Sequence, residues 1–160
     1  MQFTQSISYP GTVDEVVAMY LTPAYLERRF GQFVVEGSQV VSVEGKRVSF
    51  AGTVRPELIP AAAARFVKSD LRVSFTEEWT TNEAGAASRT SVTVDGAPVS
   101  VEATSTLASA EGGSVRDVTG NVSVRVPLLG GRIEKEAVAH LGRVVEREQA
   151  LAAQWLEEHR

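Results

Sequence analysis

Cysteine is absent from the 160 residues, which excludes disulfides, thiolate metal sites and cysteine nucleophiles. Histidine is nearly as scarce, and the two present, His140 and His159, are too few for a histidine-based metal cluster. Positive charge is in deficit. Lys and Arg number 16 against 20 Asp and Glu, a net charge of -4 that argues against a nucleic-acid partner. Apolar runs long enough to span a bilayer are missing, and the opening MQFTQSISYP does not have the form of a signal peptide. We therefore expect a cytoplasmic protein with no stable membrane insertion. Walker, dinucleotide, G-x-S-x-G and H-E-x-x-H patterns do not occur, so neither a cofactor nor a metal is expected.

What is present suits an ordinary globular chain, 43% hydrophobic and 22% charged. Its length is enough for one domain, residues 1–160, to bury a core without staples. Residues 1–9 alternate Phe3, Ile7 and Tyr9 with polar neighbours, the period of a half-buried strand. Pro10-Gly11 ends it, and Thr12 with Glu15 forms a capping box. Val13, Val16, Val17, Tyr20 and Leu21 then share one helical face. Thr22-Pro23 opens a second short helix that turns Tyr25, Leu26 and Phe30 inward, with Phe33 a further candidate for the inner face.

The middle of the chain reads as strand, with valine the commonest residue. Residues 34–43 and 47–54 suggest a hairpin turning at Glu44-Gly45, and residues 60–68 a short helix. Segments 71–81, 91–94, 99–107 and 115–126 supply further strands, with turns at Asp95-Gly96 and Glu111-Gly112-Gly113. From 129 to 158 a single helical pattern follows, on the order of 45 Å at the standard rise. Ile133, Ala137, Leu141, Val144, Val145, Leu151, Ala152, Trp155 and Leu156 fall on one broad arc of it. A helix of this length needs a wide concave surface to cover it, and the strands before it can provide one. The order of elements is that of an α+β domain with a bent sheet.

That order resembles the START-like superfamily of helix-grip domains, which includes lipid-transfer proteins and polyketide cyclases. The residues that carry the resemblance are the opening FTQSISYPGTVDEVVAMYLTPAYLERR, the segments LIPAAAARFV and FTEEWT, and the closing VPLLGGRIEKEAVAHLGRVVEREQALAAQWLEEH. The nearer resemblance is to a bacterial family of unknown function within that superfamily. It implies a curved antiparallel sheet wrapped around a long C-terminal helix, two short helices after the first strand, and a cavity between sheet and helix. It carries no catalytic residues.

Glu148 stands out, because at about 60° it lies near the middle of the apolar arc. An ionised carboxylate buried there needs a partner or neutralises itself. It either pairs with an arginine reaching in from the sheet, such as Arg55 or Arg72, or is exposed by a bend in the helix, or faces a ligand. Glu77 and Trp79 share a strand face with Leu71, Val73 and Phe75, so both point inward. Trp79 reads as core wall, which in such a fold can also be a ligand platform. Glu77 and Glu148 are also candidates for an acid/base pair. His140 lies at the margin of the arc, and Gly130-Gly131-Arg132 superficially resembles an anion nest, although a flexible helix start explains it as well.

The expected function is to bind or carry a hydrophobic small molecule (a lipid, polyketide or isoprenoid) in a cavity of roughly a few hundred Å³. Glu77, Trp79, Leu141, Val144 and Glu148 are the expected ligand-binding residues. The alternatives are a cyclase, dehydratase or hydrolase using the cavity carboxylates, and an interaction module with a collapsed cavity.

Overall fold

The computed structural model describes residues 1–59, 61–65, 67 and 70–160. Strand β1 (Gln2–Tyr9) leads into helices α1 (Val13–Tyr20) and α2 (Pro23–Phe30). Both halves of the capping box form at the start of α1: Glu15 N donates to Thr12 Oγ1 at 3.1 Å, and Thr12 N to Glu15 Oε1 at 3.0 Å. Pro23 takes the first turn of α2, where its missing N–H loses nothing. A 3₁₀ turn (Gly31–Phe33) then leads to β2 (Val40–Glu44) and β3 (Arg47–Thr53).

The 34–43 segment is strand only from Val40. Val34 makes a single bridge to Val54, and between them the backbone turns at Gly37, whose φ of 84° suits glycine. Of the helix expected over 60–68, α3 (Ala61–Ala64) is helical, while Pro60, Phe66 and Lys68 lie outside the described residues. Long strands β4 (Arg72–Asn82), β5 (Gly85–Asp95), β6 (Val99–Ala110) and β7 (Gly113–Val124) follow. The strand expected at 91–94 begins much earlier, at Gly85. Its first residues, Ala86 to Thr90, are small or polar, and pairing with β4 on one side and β6 on the other holds them extended.

The sheet runs β1-β7-β6-β5-β4-β3-β2, with every pair antiparallel. It is a meander from β2 to β7, closed by β1 along β7. The curved sheet grips α4 (Gly130–Glu158), the long C-terminal helix. Where α4 starts, Gly130 passes so near β7 that a Cβ would stand 2.2 Å from the Val124 carbonyl oxygen. Close approach explains this glycine, and no anion nest is needed. Among the described residues, no helix is long and apolar enough to cross a membrane.

The core is uneven along α4. Its C-terminal end packs Ala152, Trp155 and Leu156 against Tyr9, Val16, Val17, Tyr20 and Tyr25. A second cluster joins Leu26, Val34, Val48, Phe50 and Phe75 near α2 and β3. Between Gly130 and Glu148, α4 buries no residue. Aromatic bulk fills one end of the grip and leaves the other thinly packed, and that difference positions the candidate site.

Candidate functional site

Inward-facing positions of the central strands carry polar groups where the pattern of a core calls for apolar ones. On β4 these are Glu77, 1% exposed, next to Trp79, also 1%. On β5 and β6 they are Ser88 and Ser105, and on β7 Arg116, all buried. Arg116 Nη2 donates to Glu77 Oε2 at 2.8 Å and to Ser88 Oγ at 3.1 Å, and its Nε donates to Ser105 Oγ at 2.9 Å. Thr90 Oγ1 also donates to Glu77 Oε2 at 2.7 Å, and Trp79 Nε1 donates to Oε1 at 3.0 Å. The guanidinium of Arg116 lies 4.8 Å from the Trp79 ring centroid and 5.0 Å from that of Tyr20. These contacts are what a buried ion pair needs to offset its desolvation.

Helices close the cluster from the other side. Glu148 of α4 is buried and meets Arg29 of α2, whose Nε lies 2.8 Å from Glu148 Oε1. Tyr20 of α1 donates to the same oxygen at 3.0 Å, and the hydroxyls of Tyr9 and Tyr20 lie 2.6 Å apart. Arg29 Nη1 stands 4.0 Å from Glu77 Oε1, which links the two pairs. Four charges, two of each sign, thus sit in one connected network, with Glu77, Arg116 and Glu148 buried and Arg29 mostly so.

Burial by itself would push the Glu77 carboxyl up, but Arg116 and Arg29, with the hydrogen bonds from Thr90 and Arg116, hold it below its ordinary value. Burial opposes the charge of both arginines, yet Glu148 beside Arg29 and Glu77 beside Arg116 outweigh it and raise both. Burial first, then the charge of Glu148, pushes the Tyr20 hydroxyl up, so it stays protonated as a donor.

Two cavities lie end to end under α4. The inner one, about 240 Å³, is lined by Arg29, Glu77, Arg116, Leu141, Val144 and Glu148 among others. The outer one, about 270 Å³, has an almost wholly apolar lining, including Leu58, Val94, Val99, Ile133 and Ala137. Val92 on β5 and Val101 on β6 line the inner cavity, and Val94 and Val99 line the outer one. Alternate residues of a strand share a face, so the two spaces adjoin along the same strands.

Of the five residues singled out from sequence, Glu77, Leu141, Val144 and Glu148 meet at the inner cavity. Val144 stands at its rim, 53% exposed. Trp79 is not part of either lining. It is core wall, stacked on Tyr20 with centroids 5.5 Å apart. His140 is exposed on α4. The arginine that meets Glu148 is neither Arg55 nor Arg72. Arg55 donates to the Val34 carbonyl, and Arg72 occupies the β4 phase opposite to Phe75, Glu77 and Trp79. The partners that sequence reading missed had signals of their own. Arg29 lies one helical turn beyond Tyr25 and Leu26, on the face that is buried. Arg116 holds the same strand phase as Val118, Val122 and Val124.

The comparisons with known proteins agree with this architecture. The family model described as "Protein of unknown function (DUF2505)" matches residues 4–156. The chain belongs to that family. Uncharacterized proteins of Mycobacterium tuberculosis and Mycobacterium bovis are 26% identical to it, over 96% of this chain and 95% of theirs. Among solved structures, norcoclaurine synthase from Thalictrum flavum superposes with a TM-score of 0.60 at 12% identity, covering 100% of this chain and 88% of that one. A START superfamily protein from Mycobacterium smegmatis gives 0.51 at 11% identity, covering 93% and 97%. A conserved protein from Geobacillus kaustophilus gives 0.57 at 20% identity, covering 94% and 95%. At these identities the likeness is one of fold: the helix-grip architecture that a START superfamily protein also has.

Proposed function

We propose that this chain binds and carries an apolar small molecule in the space between α4 and the sheet. One observation carries the reading: the outer cavity, about 270 Å³ and bounded almost entirely by apolar side chains, adjoins an inner one of similar size. Each approaches the lower end of the range usual for small-molecule sites, and such sites combine apolar walls with a few convergent polar groups. Leu141 and Val144 supply apolar wall at the inner cavity, and Glu77 and Glu148 stand among its polar groups. The acid/base pair considered from sequence is not favoured, because an arginine faces each carboxylate, Arg116 at Glu77 and Arg29 at Glu148. The interaction-module reading needs a filled interior, and the space under α4 does not favour it.

The test is native mass spectrometry of the protein as purified from the cells that make it, together with uptake of the apolar dye Nile red. A retained apolar mass, or dye fluorescence lost in a Val94→Trp variant that still folds, is the expected result. A bare chain that takes up no dye at micromolar concentration would refute carriage.

A further inference from the structure

The polar end of the inner cavity has two unused hydrogen-bonding groups of opposite kind. Arg29 Nη1 is a buried donor without a hydrogen-bond partner, held 4.0 Å from Glu77 Oε1. Glu148 accepts a hydrogen bond from Tyr20 on Oε1, the oxygen that also lies 2.8 Å from Arg29 Nε, and among the described residues no hydrogen bond reaches its Oε2. Both residues line the cavity. Glu77 is the more fully used carboxylate, because Trp79 donates to one of its oxygens and Thr90 with Arg116 to the other. A buried donor left unpaired is costly, so a group that accepts from Arg29 gains more here than it would in water.

The charges decide what that group can be. Arg29 and Arg116 are balanced by Glu77 and Glu148, so the network is neutral as it stands. A carboxylate or phosphate would add a third buried anion next to two, and an ammonium a third cation. Either would enter a low-dielectric space without a counter-ion. A neutral group that donates and accepts at once meets neither penalty. Beyond it, α4 carries apolar lining residues from Leu141 back to Ile133 over both cavities. The stretch of α4 from Glu148 to Ile133 gives a track of roughly 22 Å at the helical rise.

We infer that the ligand is an elongated apolar molecule ending in an uncharged hydroxyl, which accepts from Arg29 Nη1 and donates to Glu148 Oε2. This rests on the carrier reading above and adds the headgroup to it. Arg29 and Glu148 read the hydroxyl, and Ile133, Ala137, Val94 and Val99 hold the chain. Specificity of this kind is strong because a ligand lacking the polar group leaves the buried Arg29 donor unpaired.

The experiment measures displacement of Nile red from the intact protein at pH 8 by three probes of equal chain length: 1-decanol, decyl methyl ether and decanoate. The ether can accept but not donate, and decanoate is fully ionised at that pH. Decanol should bind at least ten times more tightly than either of the others. In Glu148→Gln, if it folds, the preference over the ether should shrink to within about threefold; the wild-type series stands without that variant. Tighter binding of decanoate, or equal binding of all three, would overturn the hydroxyl assignment and leave the carrier reading intact. Failure of all three to displace dye, together with a bare chain in the mass spectrum, would overturn both.

Discussion

Replacing Glu77 by glutamine keeps the shape of the side chain and removes its charge, at a buried position where every contact is to a donor. The carboxylate accepts from Trp79 Nε1 at 3.0 Å, Thr90 Oγ1 at 2.7 Å and Arg116 Nη2 at 2.8 Å. An amide oxygen turned toward Arg116 and Thr90 sets the new NH₂ against the Trp79 N–H. Turned the other way, it sets the NH₂ against the guanidinium. Each orientation opposes donor to donor and leaves Arg116, 3% exposed, without its nearest counter-ion. Hydrogen bonds to charged groups contribute about 1.5–3 kcal/mol each, and breaking a buried ion pair from one side costs about 3–5 kcal/mol. Because the amide keeps some of these bonds, the expected loss for Glu77→Gln is about 3–5 kcal/mol. Urea melts at pH 7, followed by tryptophan fluorescence and by far-UV circular dichroism, measure it. The double variant Glu77→Met/Arg116→Met removes both charges together and should lose less than Glu77→Gln alone, since no unpaired ion remains. A loss below about 1 kcal/mol for Glu77→Gln would refute the network as described. A double variant worse than the single would show that the pair stabilises the fold outright.

Trp155 packs edge-on to Tyr25 with centroids 5.4 Å apart and stacks on His159 at 3.8 Å, so Trp155→Ala should cost about 3–5 kcal/mol in the same melts. A loss under about 1 kcal/mol would show that the packed end of α4 is wrongly placed. The Tyr25 hydroxyl is buried without a hydrogen-bond partner, so Tyr25→Phe should be neutral or stabilising by up to about 1–3 kcal/mol. A loss above about 1 kcal/mol would show that the hydroxyl is satisfied in solution. The folded pKa of Glu77 lies below its ordinary 4.5, so its contribution is complete above that value and drains away as pH falls through the folded pKa. Melts between pH 7 and pH 3 should therefore show wild type losing its advantage over Glu77→Gln in the acid range; a difference that ignores pH would contradict the shift.

Local rules made the element order legible. The capping box at Thr12 and Glu15, the proline at the start of α2, the alternation of β4 and the long arc of α4 each act through neighbours in sequence. The inward placing of Glu77 and of Glu148 followed from those same periods. Weak local signals failed where pairing decided the outcome, as in the early residues of β5, held extended between two long strands. Partner choice needed the tertiary structure, because a helical phase says which way Glu148 points but not which arginine waits there. Arg29 stands on α2 and Arg116 on β7, brought together only when β1 closes along β7 and the helices fold over the concave face. Trp79 shows the same limit from the other side. Its strand phase pointed it inward, and only the arrival of Tyr20 from α1 made it filled core instead of cavity lining. The space under α4 is likewise a tertiary result, left where the aromatic residues that fill the other end do not reach.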